Sequence, residues 1–453
     1  MPSVTSPPAV PALKRELGRW DLTALGVNQV IGGAVFALPA ALAASAGGWS
    51  PWMVATVGVA SMLIALSFAE VASRFEGTGG PYLYTRAAFG RFAAFEVGWM
   101  LWFTRAASWA SVINVLVLSL GFYWPVVTTG LPRALLITTI IAVVSAINIR
   151  GIRESSFVVN ALTIGKLLPL ATFILVGIFF VDWSRLMPAA GVSLEDVSAS
   201  GLLLIFAFGG YEIVPVVAGE ARDPRRDMPF ALIMTIVIVA ALLTLAQIVA
   251  LGTLPGLATS STPLADAAAM FLGAGGAALI TLGAVISTSG NNMGSAVSGS
   301  RNLFALAEQG DLPPFFARVH PRFRTPVTAI LVTAAVAVVL AVSGSFRTMA
   351  AVSAISRLIV YVATCASTLR LRDHRFEATV KPALFVVPFG PVIPVAAIAI
   401  ALAILAGATR EQVLAGAYAL AAGAVLFFIA VRGRGILKFQ KSGLPGGRAF
   451  NRR

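Results

Sequence analysis

The chain has 453 residues, 58% of them hydrophobic and 11% charged, with 33 Lys and Arg against 19 Asp and Glu for a formal net charge of +14. Soluble domains carry about 25% charged residues, so this composition excludes an ordinary water-exposed globule. Its apolar runs also exceed the roughly 4–8-residue strands of a buried parallel sheet.

Residues 1–21 contain Lys14, Arg15, Glu16, Arg19 and Asp21 and lack an apolar core followed by a small-residue cleavage site. They predict a cytoplasmic N-terminal segment without a cleavable signal. A transmembrane region follows over residues 22–431. Its apolar runs predict about twelve spans, near 22–46, 52–73, 86–120, 131–149, 156–181, 199–218, 228–252, 272–306, 326–343, 348–369, 383–405 and 411–431. Residues 231–254, interrupted only by Thr, Gln247 and Gly, show the pattern well. About 20 residues at about 1.5 Å each cross a bilayer core of about 30 Å. The third and eighth spans are long enough to predict tilt or extension past the membrane surface. Residues 432–453 form a basic tail that reads as disordered and drawn to anionic lipid.

Sorting basic residues by alternate loops tests this count. One side collects Lys14, Arg15, Arg19, Arg74, Arg86, Arg91, Arg150, Arg153, Arg222, Arg225, Arg226, Arg301, Arg318, Arg322, Arg324, Arg370, Arg372, Arg375, Lys381 and the tail. The other side collects Arg133, Arg185, Arg347 and Arg410. By the positive-inside rule both termini lie in the cytoplasm, and the protein belongs in the cytoplasmic membrane. The basic charge then records topology and calls for no nucleic acid partner.

The lone Cys365 has no disulfide partner, and His320 and His374 form no metal-ligand cluster with it. No Gly-x4-Gly-Lys-Ser/Thr loop is present, so ATP does not drive the protein directly. The sequence implies no cofactor, no metal, no catalytic constellation and no obligate protein partner.

A weak internal symmetry directs attention to two spans. The first carries Gly32-Gly33 before Pro39, and the sixth carries Gly209-Gly210 before Pro215. Spans five apart run in opposite directions, as in an inverted repeat whose two broken helices form a midplane binding site. The alternative is that these glycines only allow helices to pack closely.

Three separated stretches resemble the amino acid-polyamine-organocation permeases. They are Gly26-Val27-Asn28-Gln29-Val30-Ile31-Gly32-Gly33-Ala34 on to Pro39, then Phe206-Ala207-Phe208-Gly209-Gly210-Tyr211-Glu212 running to Gly219-Glu220-Ala221-Arg222-Asp223-Pro224 and on to Pro229, and Ser300-Arg301-Asn302-Leu303-Phe304 on to Gly310-Asp311-Leu312-Pro313 and Thr325-Pro326-Val327. The resemblance spans about residues 20–372 and departs at Ala34, where the family usually has a second glycine. It implies an all-α membrane bundle with a LeuT-like five-plus-five inverted repeat: repeat one over about 22–181, repeat two over about 199–369, peripheral helices over about 383–431. The implied function is amino acid import coupled to protons by alternating access. An amino acid or amine exchanger is the near alternative. A membrane-embedded sensor is a more distant one, and its usual soluble output domain is not evident.

An unwound segment leaves amides at the start of a half-helix, which with the dipole attract an anion. The expected carboxylate donors are the amides of Gly32, Gly33 and Ala34. By resemblance, an ammonium meets carbonyls near Val30 and Ile31 and from Phe206, Ala207 and Phe208, next to Gly209. Phe206 resembles the family's aromatic gate.

Charges within spans cost at least about 2.5–3.5 kcal/mol at midplane and usually face a cavity or a partner. Lys166 resembles the lysine that replaces a sodium ion in proton-dependent members, bridging the first and eighth spans, with Ser287 and Thr288 as oxygen partners. A buried lysine can exchange its proton as a cavity opens and closes; alternatively it is a fixed structural tie. Arg105 either binds a substrate anion or pairs with Glu212. Glu212 alternatively meets a cationic substrate group, and Arg357 reads as structural.

Overall fold

A computed structural model describes residues 15–121, 124–188, 191, 193–344 and 346–442; residues 1–14 and the tail beyond 442 lie outside it. The described chain is helical, and among the described residues the sole β-pairing is an isolated bridge between Leu17 and Ala221. The α-helices run α1 Arg19–Val30, α2 Ala34–Ala46, α3 Ser50–Ala72, α4 Pro81–Phe89, α5 Arg91–Gly121, α6 Gly130–Arg150, α7 Ile152–Gly177 and α8 Leu194–Phe208. After a 3-10 stretch over Tyr211–Glu220 come α9 Pro224–Thr253, α10 Pro263–Glu308, α11 Val327–Ser343, α12 Phe346–Arg370, α13 Val392–Ala406 and α14 Arg410–Ser442.

Proline occupies the first turn of α3, α4, α9 and α10, where its missing N–H breaks no helical hydrogen bond. Glycine places the interruptions. Gly90 (φ 87°) separates α4 from α5, so the expected third span near 86–120 is a short helix followed by a long one. Gly273 (φ 65°, ψ −158°) breaks α10, so the apolar run expected from 272 starts at a kink. The expected span near 383–405 is helical only from Val392. At the other end α14 stays helical to Ser442, past the expected boundary at 431 and into the segment read as disordered.

Nine helical stretches among the described residues are long and apolar enough to cross a membrane, one of them joining α2 and α3 across a 3-10 turn at Gly47–Trp49, and α11 and α13 are shorter apolar helices. Burial inverts the pattern of a water-soluble protein. Arg105, Lys166, Arg301 and Arg357 are among the largest fully buried side chains. Meanwhile Leu131, Leu135 and Val143 on α6, Val395 and Leu402 on α13 and Val425 on α14 are exposed. Exposed apolar side chains in such number are a liability in water and the ordinary solvated face in lipid. The helices α1, α2, α5, α8, α10 and α12 meet at the centre, with α6, α13 and α14 outside.

One end of the bundle is tied by polar contacts. Glu16 and Leu17 amides donate to Glu220 O at 2.9 and 3.0 Å, and the Arg222 amide returns to Leu17 O at 2.9 Å. Arg301 Nε lies 3.5 Å from Glu220 Oε1, and its Nη1 donates to Asn148 Oδ1 at 2.8 Å. Beside them Asp311 accepts from Tyr82 Oη (2.6 Å), Arg86 (3.1 Å) and Arg91 (2.5 Å).

Candidate substrate site

The chain departs from helix at Ile31 (φ −76°, ψ 86°), and Gly33 caps the start of α2. A Cβ on Gly32 would sit 2.8 Å from the Asn291 side-chain nitrogen, and one on Gly33 3.0 Å from Val115. The glycine pair therefore lets α10 and α5 close over the break. In the second interrupted helix Gly210 takes φ 137°, and a Cβ there would lie 2.6 Å from Gln29 O. The two breaks are in backbone contact. The ten residues after Gly210 wind as a 3-10 helix, interrupted at Val217 (φ −92°, ψ 17°); such runs rarely exceed 3–4 residues.

The carbonyls at the end of α1 are largely engaged. Lys166 Nζ donates to Asn28 O (2.7 Å) and Ile31 O (2.5 Å). Ser287 Oγ donates to Ile31 O (3.0 Å) and Gly32 O (3.2 Å). Asn291 Nδ2 donates to Gln29 O (2.7 Å), and the Gly32 amide to Val30 O (2.9 Å). The Gly32 amide, expected to face a carboxylate, is thus turned inward, leaving those of Gly33 and Ala34 at the mouth of α2. The Val30 and Ile31 carbonyls, expected to meet an ammonium, already accept one hydrogen bond or more. Thr288 Oγ1 bonds back to Ala284 and Val285 on its own helix, so of the two expected partners only Ser287 shares an oxygen with Lys166.

A narrow cavity of about 20 Å³ lies between the breaks, lined by Gly33 and Ala34 on one side and Phe206, Gly209, Arg105 and Arg357 on the other. Phe206 is 7% exposed, with the Arg357 guanidinium carbon 5.8 Å from its ring centroid. Ala207 and Phe208 are buried beside it, and Ala207 also lines an apolar cavity with Ala34, Leu38, Pro39 and Leu243.

Arg105, Glu212 and Arg357 form one cluster. Glu212 Oε1 accepts from Arg105 Nη2 (2.5 Å) and Arg357 Nε (2.8 Å), and Oε2 from the Gly210 amide (2.8 Å) and Tyr361 Oη (3.1 Å). Four donors occupy the four lone-pair directions of the carboxylate. Arg357, read from sequence as structural, belongs to the cavity wall. Tyr361, Asn291, Gln29 and Ser108 escaped sequence reasoning, because an uncharged polar residue in an apolar helix gives no sign of depth or direction. Among the described residues no group of three His, Cys, Asp or Glu side chains gathers to hold a metal.

An apolar-surfaced helical bundle around a small polar cavity, with two interrupted helices abutting at its wall, defines a multi-pass membrane transporter. The sequence model of one family, described as amino acid permease, matches residues 17–433. The chain belongs to that family, a family of transporters within the amino acid-polyamine-organocation superfamily. It is 28% identical to the methylthioribose transporter of Bacillus subtilis, over 94% of this chain and 95% of that protein. It is 28% identical to the branched-chain amino acid permease BcaP of the same organism, over 84% of this chain and 86% of the relative. The serine/threonine exchanger SteT, also of Bacillus subtilis, is 29% identical over 85% and 89%.

Proposed function

We propose that this protein imports an amino acid together with a proton by alternating access. The observation that carries the reading is the abutment of the Gly32-Gly33 and Gly209-Gly210 breaks around a cavity. The Gly33 and Ala34 amides, with the dipole of α2, suit a carboxylate, and the Ala207 and Phe208 carbonyls on the opposite break suit an ammonium. Phe206 lids the site. Lys166 and Ser287 share Ile31 O at the back of the first break, so a change in the protonation of Lys166 would alter the hold on that break. Such a link is what coupling requires.

The same reading takes twelve spans, counting α2 and α3 separately and adding α11 and α13. It arranges α1–α7 and α8–α12 as a five-plus-five inverted repeat with α13 and α14 peripheral. Both termini lie in the cytoplasm, on the side where Glu220, Arg301 and Asp311 cluster.

A second reading is obligatory exchange. It is favoured by the similarity to an exchanger and by the two carbonyls on Lys166 Nζ, which suit a permanently charged tie.

Uptake of radiolabelled amino acids into proteoliposomes separates the two. Symport predicts accumulation that follows an inward proton gradient into empty vesicles. Uptake that ignores the gradient and requires internal amino acid marks an exchanger, and a panel in which nothing moves rejects both.

A further inference from the structure

Two arginines face one carboxylate on the cavity wall. Arg105, Arg357 and Glu212 are each at most 2% exposed, and Tyr361 and the Gly210 amide add neutral donors to the same carboxylate. The cluster therefore carries one uncompensated positive charge. The remaining polar groups lining the cavity, Gln29, Ser108 and Asn291, are neutral, and none of the lining residues other than the two arginines is charged.

Donor capacity is left over as well. Arg357 uses Nε on Glu212 and Nη2 on Ser108 Oγ (3.4 Å), while its Nη1 is buried with no acceptor. Arg105 uses Nη2 on Glu212, and its Nε is likewise buried without an acceptor. Both guanidinium groups line the cavity, and that of Arg357 lies directly against Gly209, where any Cβ would collide with it. A buried guanidinium with a free N–H and surplus charge is costly until an anion or another acceptor reaches it. Its planar fork is matched to a carboxylate.

We propose that Arg105 and Arg357 form a second anion subsite in the cavity, which takes the side-chain carboxylate of an acidic amino acid while α2 holds the α-carboxylate. The proposal rests on the reading of the chain as an amino acid carrier and names its substrate class. Glu212 does not contact the substrate in this arrangement. It holds both guanidinium groups in place, and its saturated carboxylate offers nothing to a cationic side chain. Lysine- or arginine-like substrates meet repulsion, and neutral ones leave the free N–H groups unpaired.

The test compares glutamate and aspartate with their neutral isosteres glutamine and asparagine, and with alanine, as competitors in binding assays on the purified full-length protein. The expected result is that each acidic amino acid binds about tenfold or more tighter than its amide, the scale of a charge-assisted pair over a neutral contact. Arg357→Gln is expected to bring that ratio towards one, and Arg357→Lys to restore part of it. A merely structural arginine would shift all competitors together. If alanine binds and glutamate binds no better than glutamine, the subsite is wrong while the carrier reading stands. If no amino acid binds, both fall. Should the Arg357 variants fail to fold, the wild-type ratio alone decides.

Discussion

Glu212 sits where a carboxylate has no water to solvate it, and four donors from three parts of the chain replace that water. Removing the charge leaves two guanidinium groups facing each other. Glu212→Gln is therefore expected to cost about 3–5 kcal/mol, the scale for breaking a buried ion pair, seen as a lowered unfolding midpoint in detergent. Tyr361→Phe removes one donor but no charge and should cost about 1 kcal/mol; an equal loss for the two would mean that the ion pairs do not organise the cluster. Sequence alone marks Arg105, Glu212 and Arg357, since each interrupts an apolar run. It leaves open whether Glu212 meets an arginine or a substrate, because helical periodicity does not set the relative depth of separate helices. Tyr361 gives no such mark at all.

At the scale of elements, the glycine pairs do more than permit close packing. Gly210 needs a positive φ and has Gln29 O where its Cβ would be, whereas Gly201, about two and a half helical turns earlier, has open space around it. Gly210→Ala should lose most transport and about 1–3 kcal/mol of stability, while Gly201→Ala should be neutral or slightly stabilising. Parallel uptake and thermal-unfolding assays check this, and equal effects would show that the break has no special backbone demand. The two interrupted helices are legible in the sequence because glycine pairs followed by proline stand out in apolar runs. The division of α4 from α5 at Gly90 and the kink at Gly273 are not, since an isolated glycine in a membrane helix is common.

At the scale of the whole molecule, the polar end joins the N-terminal segment, the end of the second broken helix, α10 and the loop after it. In an alternating-access carrier this end must part for substrate to leave. Weakening it with Arg301→Gln, which deletes the contacts to Glu220 and Asn148, should speed labelling of a cysteine placed at Ser108 in a Cys365→Ser background. No change in rate would mean that the cluster does not restrain opening. The apolar runs convey the helical bundle from sequence, while the polar end needs tertiary contacts between segments 81 to 229 residues apart. The central claim is that Lys166, tied to the first break, couples substrate movement to a proton. The measurement that tests it most directly is amino acid accumulation in proteoliposomes under an inward proton gradient, for wild type and Lys166→Ala. Gradient-driven accumulation in the wild type that disappears in the variant, while exchange of internal for external amino acid persists, is the predicted result. Equal gradient-driven accumulation by both proteins would contradict it.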